Sequence, residues 1–587
     1  MHIERLANNE KSEFSARTRA QNIDTLKSEH LDVLVIGGGI VGAGIIRDVA
    51  LNGGIRAGLI EQGDFGSGTS SATSQLVHGG FRYLSKGDIA LVKASRRERE
   101  VLLRIAPNVV RPIPIAILCY AGDRYPLVGI QMAAHYYNHL SQTDRAEKSE
   151  VIRDVVEIQR RLGSIETTGL KGAAVIWDSM VDDARLCLLT LRDAYLHGAS
   201  VANYVRFLDF VRQTGAETVV RAADSITGEE FEVRAKHIVS ATGPWTDGVW
   251  EKEQGYDGVP RLTTQRAKGI HILVPRVPGN HYGIATLTRS EKSHHGKPRV
   301  IFLLPIGANT EEAANGYQEL LLIGTTETQP EGAPDAVRPT AAEVDYLLSA
   351  TNRVFPNAAL TRSDVISAYA GVRPLISARR SRLGKIGQAR LNSTKSRRNC
   401  RNDYVTRGHI IAESPSGVLY IYGGKLTTHR QIAEETVDRL AEKLGVARHC
   451  QTAVLPLLND TPVNDVCNPA AARLIRRYGG TGADIIQQWV DKDATLSESL
   501  TAAFPFLKAE VRYAFWGEMA MNLEDFLWRR TRIGLTVGQG VDIAPKIAAL
   551  LGEFSDWDAS RIAAEVETYR QRIAWLNADW VVENLKK

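Results

Sequence analysis

The feature that most constrains this chain is a strand, glycine turn and helix close to its N-terminus. Val33–Ile36 is a short, mostly β-branched apolar run, and such a run predicts a buried strand. Gly37-Gly38-Gly39-Ile40-Val41-Gly42 follows at once and satisfies G-x-G-x-x-G. A helix is expected over residues 40–51 and a second strand over 57–60, ending at Glu61. This order predicts a Rossmann-type dinucleotide site rather than a plain glycine turn.

Each residue of the pattern has a physical task in such a site. Gly37 allows a sharp turn, Gly39 lets the backbone approach a pyrophosphate, and Gly42 lets the helix pack against the strand. The helix directs its free N–H groups and its positive end at the phosphates. Glu61, about twenty positions beyond the glycines, is expected to accept hydrogen bonds from the ribose hydroxyls.

Length and composition limit the number of domains, the partners and the compartment that the chain can have. With 587 residues, 44% hydrophobic and 24% charged, it is a globular protein of two or three domains. A net charge of +5 is too small to indicate nucleic-acid binding. The five cysteines show no C-x-x-C spacing, so we expect no metal site and a reducing compartment. No apolar run approaches the ~20 residues of a membrane-spanning helix. Residues 1–30 lack the apolar core of a signal peptide, which leaves a packed or flexible extension.

Two polar segments follow the dinucleotide unit. Residues 65–75 are rich in glycine and hydroxyl residues, including Thr69, Ser70 and Ser71, and such a segment can wrap a cofactor or form a surface loop. Residues 76–84, LVHGGFRYL, then place a His, an Arg and a Tyr within six positions around a glycine pair. This concentration of polar groups in an apolar stretch marks a candidate binding segment.

The order GGGIVGAG, a terminal Glu and TSSATSQLVHGGFRYL resembles the FAD-dependent, quinone-linked glycerol-3-phosphate dehydrogenases. These belong to the wider D-amino-acid-oxidase-like group of flavoproteins. The resemblance is close over residues 32–440 and loose in the tail. It implies FAD as cofactor and an α/β fold, in which a Rossmann-type FAD-binding domain is joined by an antiparallel-sheet substrate domain and a C-terminal helical cap domain.

We assign domain ranges on this basis. Residues 1–30 form the extension, 31–450 the FAD-binding domain with the substrate part at roughly 107–170 and 261–370, and 451–587 the helical domain. Strands are expected within the substrate part, at residues 270–274, 300–304 and 320–323. Residues 127–140 predict a helix that packs in the core, with a lipid-facing surface as the alternative.

Three later motifs add candidate site residues. An A-T-G turn containing Gly243 ends a buried strand, and in the resembling family this turn passes beside FAD. The G-G-K-L-T-T motif opens a helix and, by the resemblance, closes the flavin site. Its residues taken as candidates are Gly424, Lys425, Leu426 and Thr427. In G-V-R-P-L, Arg373 lies next to a proline, which suits a rigidly held guanidinium.

Residues 379–401 hold nine basic residues and no acidic one. A solvated loop and contact with anionic lipid headgroups are both compatible with this run. RNA contact is disfavoured because the run has no aromatic side chains for base stacking. At its end, Arg401 matches a segment where the resembling family places an arginine for the substrate phosphate.

Two features of the sequence indicate the chemistry: the lack of a second dinucleotide motif and a set of cationic candidate residues. The sequence has a single G-x-G-x-x-G, so electrons are expected directly from a substrate rather than from NAD(P)H. Gathered by the fold, the cationic candidates would suit a phosphate monoester. They are His78, Arg82, Arg373, Arg401 and Lys425. The resemblance implies hydride transfer from C2 of sn-glycerol 3-phosphate to FAD, giving dihydroxyacetone phosphate.

The resemblance also implies residue roles and partners. Arg373 would hold the C2 oxygen, and His78 is a candidate base or orienter. Arg82, Tyr83, Arg401 and Lys425 would hold the phosphate. We expect a membrane quinone as acceptor, peripheral contact with an anionic membrane from the cytoplasmic side, and no nucleic-acid partner. A homodimer stays open. The alternatives are an oxidase that reduces dioxygen to peroxide and a flavin-carrying binding protein.

Overall fold

The structure is a computed structural model of the chain. It describes residues 12–123, 125–140, 147–213, 217–253, 263–287, 299–306, 319–379, 403–406, 408–459, 468–501, 504–555 and 557–581.

Helices and strands alternate through the first two thirds of the chain, and helices dominate the last third. The helices are α1 (Ala16–Ser28), α2 (Ile40–Leu51), α3 (Ile89–Ile105), α4 (Leu127–His139), α5 (Val155–Leu162), α6 (Asp183–Leu196), α7 (Thr246–Trp250), α8 (Ala341–Val354), α9 (His429–Leu444), α10 (Pro469–Lys492), α11 (Lys508–Gly517), α12 (Ala544–Phe554) and α13 (Ala559–Asn577). The strands are β1 (His30–Ile36), β2 (Ala57–Ile60), β3 (Leu76–Val77), β4 (Val110–Tyr120), β5 (Glu150–Ile152), β6 (Leu170–Val181), β7 (Ser200–Ala202), β8 (Val205–Gln213), β9 (Thr218–Asp224), β10 (Glu230–Ser240), β11 (Thr263–Pro275), β12 (Gly283–Leu287), β13 (Val300–Ile306), β14 (Leu320–Gly324), β15 (Ser367–Arg379), β16 (Asp403–Thr406), β17 (His409–Glu413), β18 (Leu419–Gly423), β19 (Ser499–Thr501) and β20 (Phe504–Leu507).

The first sheet is the Rossmann-type sheet that the sequence predicts. Its order is β17-β18-β10-β1-β2-β7, and β1 runs parallel to both β10 and β2. Helices α2, α6 and α9 pack together and bury the apolar side chains of one face. The carboxyl ends of β1, β10 and β18 therefore meet at one edge, which is where open α/β sheets bind ligands.

The second sheet is largely antiparallel. Its order is β16-β15-β11-β14-β13-β12-β4-β6-β3. The strands expected at 270–274, 300–304 and 320–323 lie inside β11, β13 and β14, so those predictions are confirmed. Helix α8 packs on this sheet and shares its core. The neighbouring strands β11 and β15 bring the second sheet to the ligand-binding edge of the first.

Helix α4 exists as predicted, but its expected packing in the core is wrong. Only Ala134 and Tyr137 are buried. Val128, Met132 and Tyr136 are 61%, 69% and 42% exposed, and their i, i+4, i+8 spacing places them on one face of the helix. The helix packs on β6 through its opposite face, so this apolar stripe is left uncovered.

The C-terminal third forms a helical domain with its own core. Helices α11, α12 and α13 share one apolar cluster, and α10 packs with α11 in another. The N-terminal segment ties this domain to the first sheet. The Phe14 N–H donates to the Trp516 carbonyl at 2.9 Å, and the Met519 N–H donates to the Phe14 carbonyl at 2.7 Å. Residues 12–28 are therefore packed rather than flexible.

None of the helices in the described ranges is long and apolar enough to cross a membrane. The same ranges contain no group of three or more His, Cys, Asp or Glu side chains that could hold a metal ion.

Candidate active site

The glycine turn after β1 leaves open space at the N-terminus of α2, where a ligand can approach the protein backbone. A Cβ at Gly42 would lie 1.9 Å from the Gly37 carbonyl oxygen, so the start of α2 packs against the turn only with glycine there. Gly37 has φ +108°, and its Cβ would lie 2.8 Å from the Ala241 carbonyl oxygen. A Cβ at Gly39 would meet only Ser70 Oγ, at 3.2 Å. This open approach at a helix N-terminus fits a pyrophosphate.

Glu61, directly after β2, belongs to the part of the site that fits the adenosine half of the cofactor, here called the nucleotide half. Its carboxylate accepts from the Gly38 N–H at 2.6 Å and from the Gly63 N–H at 2.9 Å. Burial raises the pKa of this carboxyl. Both oxygens keep further acceptor capacity, so the carboxylate fits the ribose hydroxyls of an adenosine half.

Residues 69–75, here called the cofactor loop, connect the two sheets. Ser70 Oγ accepts from the Ile40 N–H at 2.9 Å, inside the first turn of α2. Thr69 Oγ1 donates to the Val372 carbonyl on β15 at 2.5 Å. The loop therefore runs from the nucleotide half of the site to the strand that carries Arg373. Gly243, also predicted to bind cofactor, lies after β10 at φ +55° with open space where a Cβ would point.

A cavity of about 180 Å³ lies between the cofactor loop, β11, β15 and the start of the segment leading to α9. Most of the residues predicted from sequence for substrate, catalysis and the flavin-closing motif line it together. They are Thr69, His78, Arg82, Tyr83, Arg373, Gly424, Lys425, Leu426 and Thr427. Ser70 and Ser71 lie in the same loop outside this lining, and Arg401 lies outside the described residues. We call this cavity the cationic pocket.

Arg373 is held in a fixed orientation on β15. Its Nη2 donates to Thr325 Oγ1 at 2.6 Å, and its Nη1 donates to the Thr326 carbonyl at 3.2 Å. The guanidinium lies over β11, where a Cβ at Gly269 would come within 2.2 Å of Nη2. A glycine at this strand position therefore makes the space for the arginine.

The other two cations gather around Tyr83, which is buried. Arg82 Nη2 donates to Tyr83 Oη at 3.0 Å, and Lys425 Nζ lies 4.0 Å from the centre of the Tyr83 ring. The ring attracts the ammonium group through a cation–π contact. No acidic side chain of the described ranges lines the pocket, so its field is positive.

His271 on β11 is a site residue that the sequence reasoning missed. It lines the pocket, and its Nε2 shares a 2.8 Å hydrogen bond with Ser74 Oγ. Its Nδ1 is buried and has no hydrogen-bond partner among the described residues. Burial, aided by the charge of Arg373, lowers the pKa of His271 to about 3, so the imidazole is neutral. The one signal in the sequence is a histidine inside the apolar run of residues 270–274.

Two family descriptions match the chain. "FAD dependent oxidoreductase" matches residues 32–430, and "C-terminal domain of alpha-glycerophosphate oxidase" matches residues 419–562. A glycerol-3-phosphate dehydrogenase of Synechocystis sp. is 32% identical over 94% of this chain and 98% of its own length. The chain belongs to the glycerol-3-phosphate dehydrogenase family of FAD-dependent oxidoreductases. It is thus an FAD-dependent enzyme, and the predicted family, fold class and cofactor are confirmed.

Other members and solved structures agree with this placement. The mitochondrial glycerol-3-phosphate dehydrogenase of Bos taurus is 30% identical over 94% of this chain and 75% of its own. The crystal structure of the glycerol-3-phosphate dehydrogenase of Bacillus halodurans complexed with FAD superimposes with a TM-score of 0.72 and 25% identity, covering 97% of this chain and 100% of that one. The L-α-glycerophosphate oxidase of Mycoplasma pneumoniae shares the fold, with a TM-score of 0.51, 15% identity, and coverage of 70% of this chain and 95% of its own.

Proposed function

We propose that this enzyme oxidises sn-glycerol 3-phosphate to dihydroxyacetone phosphate and passes the electrons to a membrane quinone. The observation that carries the substrate is the cationic pocket itself. Arg82, Arg373 and Lys425 converge on one small cavity that no described acidic side chain lines. A phosphate dianion is attracted there, whereas an amine substrate would find no carboxylate to bind its ammonium group.

FAD, when bound, supplies the hydride acceptor, and the protein orients and polarises the substrate. Arg82, Lys425 and the Tyr83 hydroxyl form the phosphate end of the pocket, and Arg401 stays a predicted addition to it. Arg373, which contacts Thr325 and Thr326 rather than Tyr83, holds the C2 oxygen. Because two hydrogen bonds fix its guanidinium, it stabilises the growing negative charge on that oxygen without reorganising.

His271 is the group we assign to accept the C2 hydroxyl proton, while His78 orients the substrate. A neutral imidazole has one nitrogen without a proton, and the hydrogen bond with Ser74 fixes the ring. Loss of this proton from oxygen and of a hydride from carbon C2 leaves the ketone. The arginine beside it lowers the basicity of His271, and it lowers the pKa of the bound alcohol in the same way.

The exposed stripe on α4 supports the membrane quinone over dioxygen. Val128, Met132 and Tyr136 form an uncovered apolar face on a helix that contains no Asp, Glu, Lys or Arg. An exposed apolar helix face of this kind marks a contact surface, and we assign it to the membrane interface, with its apolar side chains buried below the headgroups. Contact of this kind would bring the enzyme to the layer where quinones are dissolved.

The substrate and acceptor are tested together by turnover of the FAD-loaded enzyme. We expect glycerol 3-phosphate to yield one dihydroxyacetone phosphate per quinone analogue reduced, with slow turnover in air. Rapid turnover in air with one peroxide per product would instead identify the oxidase. A flavin that glycerol 3-phosphate leaves oxidised under anaerobic conditions would refute the substrate.

The membrane contact is tested by sedimentation with vesicles that contain anionic lipid. Met132→Glu should reduce the bound fraction severalfold, because it places a charge in the apolar stripe. Val156→Glu is the matched control, since Val156 is 74% exposed but lies on α5 beside Glu157, Arg160 and Arg161. Equal losses for the two variants, or no binding by the unaltered enzyme, would refute α4 as the contact.

A further inference from the structure

A short segment of the C-terminal domain lies close to the active site. Residues 525–530 form a π-helical turn, and Arg532 follows it at φ +62°. A bulky residue in this left-handed conformation is unusual, and strain of this kind concentrates at functional sites. The side chain of Arg532 is almost fully buried and leaves its own domain.

Arg532 binds the FAD-binding domain at three points. Its Nη1 donates to the Ser71 carbonyl at 3.2 Å, inside the cofactor loop. Its Nε donates to Asp182 at 3.3 Å, and its Nη2 forms an ion pair with Asp183. One guanidinium therefore bridges the loop and the start of α6. Lysine could not reproduce this, because it has no planar fork of donors.

Asp183 links Arg532 to Thr73 in the wall of the cationic pocket. Its second carboxylate oxygen accepts from the Thr73 N–H at 3.1 Å and from the Thr73 hydroxyl at 2.6 Å. Thr73 and Ser74 line the cationic pocket, and Ser74 holds the His271 ring. Asp182 caps α6 by accepting from the Arg185 N–H, whereas Asp183 holds the cofactor loop.

Two further arginines attach the same segment to the FAD-binding domain next to the glycine turn. Arg530 forms two hydrogen bonds with the fully buried carboxylate of Asp64, at 2.5 and 2.9 Å. Arg529 pairs with the same carboxylate and with Asp525. Asp64 lies between Glu61 and the cofactor loop. The segment is therefore anchored to the FAD-binding domain at two carboxylates, Asp64 and Asp183, which makes the placement of Arg532 rigid.

We propose that Arg532 is a positioning residue for the flavin and substrate site, acting through Asp183 and Thr73 on the cofactor loop. The C-terminal domain thereby becomes part of the active site without touching substrate. This inference rests on the proposed function only for its kinetic consequence. The loop geometry and FAD affinity that it predicts do not depend on which substrate is oxidised.

The test compares Arg532→Met with Arg473→Met in the full-length protein. Arg473 is an equally buried arginine that pairs with Glu510 inside the C-terminal domain, so its loss should destabilise that domain without reaching the loop. Amide hydrogen exchange of residues 69–77 and the FAD dissociation constant are measured for both. We expect Arg532→Met to accelerate exchange of this segment and to weaken FAD binding roughly 5- to 150-fold, the range typical of coupled sites.

A kinetic readout separates positioning from general stability. The rate of flavin reduction per bound FAD should fall by on the order of 10²-fold in Arg532→Met, because small misplacements of reacting groups cost this much. Arg532→Lys should recover only part of it. Thr73→Val, which removes the hydroxyl on the far side of Asp183, tests the same path if Arg532→Met does not fold.

Exchange, FAD affinity and reduction rate that match those of Arg473→Met would overturn the proposal and leave Arg532 a stabilising residue only. If glycerol 3-phosphate fails to reduce even the unaltered enzyme, the substrate assignment is wrong. The exchange and FAD measurements still decide the role of Arg532 in that case.

Discussion

The nucleotide half and the cationic pocket of this active site are assembled in opposite ways. The nucleotide half comes mainly from one stretch, residues 33–61, in which Gly42 packs against Gly37 and Glu61 accepts from the Gly38 N–H. The cationic pocket draws its walls from the cofactor loop, two strands of the second sheet and the segment before α9. The glycine turn therefore depends mainly on local sequence, whereas the reactive groups depend on the whole fold.

Substitutions in the two halves should therefore have different effects on FAD content and turnover. The largest effect is expected for a substitution in the nucleotide half. Gly42→Ala places a Cβ 1.9 Å from the Gly37 carbonyl oxygen, where only a backbone shift gives room. We expect loss of bound FAD and of all turnover, with a stability cost of about 1–3 kcal/mol from overpacking. Flavin absorbance and urea unfolding measure the two effects.

Gly248→Ala is the control for that variant, since nothing lies within 4 Å of its Cβ in α7. It should keep FAD and gain up to about 1 kcal/mol of stability from helix propensity. Normal flavin content in Gly42→Ala would show that the turn is not the cofactor cradle.

Substitutions in the cationic pocket should lower the rate of flavin reduction without loss of FAD. Arg373→Ala is expected to lower the rate of flavin reduction about 10²- to 10³-fold, the usual cost of removing one preorganised donor to a developing oxyanion. FAD content should stay near one per chain, because the guanidinium contacts Thr325 and Thr326 rather than the glycine turn. Arg266→Ala, on β11 with a single long contact to Gly332, is the control. Flavin loss with unchanged turnover per bound FAD would remove Arg373 from the chemistry.

The same contrast explains what the sequence could predict. The glycine unit, its helix over 40–51 and its strand over 57–60 agree with the structure because they depend on local packing. The prediction that α4 packs in the core was wrong, because an apolar helical pattern does not show which face of the helix another element covers. His271 was missed because only the pairing of β11 with β14 and β15 brings it beside Arg373. Arg532 acts from a domain whose sequence carries no recognisable motif.

A smaller effect should come from the glycine under Arg373. Gly269→Ala places a Cβ within 2.2–2.7 Å of the guanidinium, which can move aside only by giving up its hydrogen bonds with Thr325 and Thr326. We expect full FAD content and a loss of up to about 10²-fold in flavin reduction, the scale of a 1 Å misplacement. Gly248→Ala again serves as the neutral substitution. A rate equal to that of the unaltered enzyme would mean that the position of Arg373 is not critical.

The smallest effect is a dependence of stability on pH. The pKa of His271 is lowered to about 3 in the folded protein, against about 6.5 when unfolded, so below pH 6.5 the unfolded chain binds more protons. Stability is therefore complete above pH 6.5 and falls with pH from there toward 3. His271→Gln should reduce the slope by at most about 1.4 kcal/mol per pH unit.

Urea unfolding of both proteins from pH 7 to pH 5 measures this slope. His30→Gln, at a surface histidine paired with Glu217, is the comparison variant. A slope that His271→Gln leaves unchanged would mean that folding does not lower the pKa of His271.

The central claim is that the cationic pocket selects a phosphate-bearing alcohol for oxidation by the bound flavin. Anaerobic mixing of the FAD-loaded enzyme with glycerol 3-phosphate, glycerol or glycine, followed by flavin absorbance, tests it most directly. We expect rapid, saturable bleaching by glycerol 3-phosphate alone, slowed about 10²- to 10³-fold in Arg373→Ala at full flavin content. Equal bleaching by glycerol, or bleaching by glycine in place of the phosphate, would contradict it.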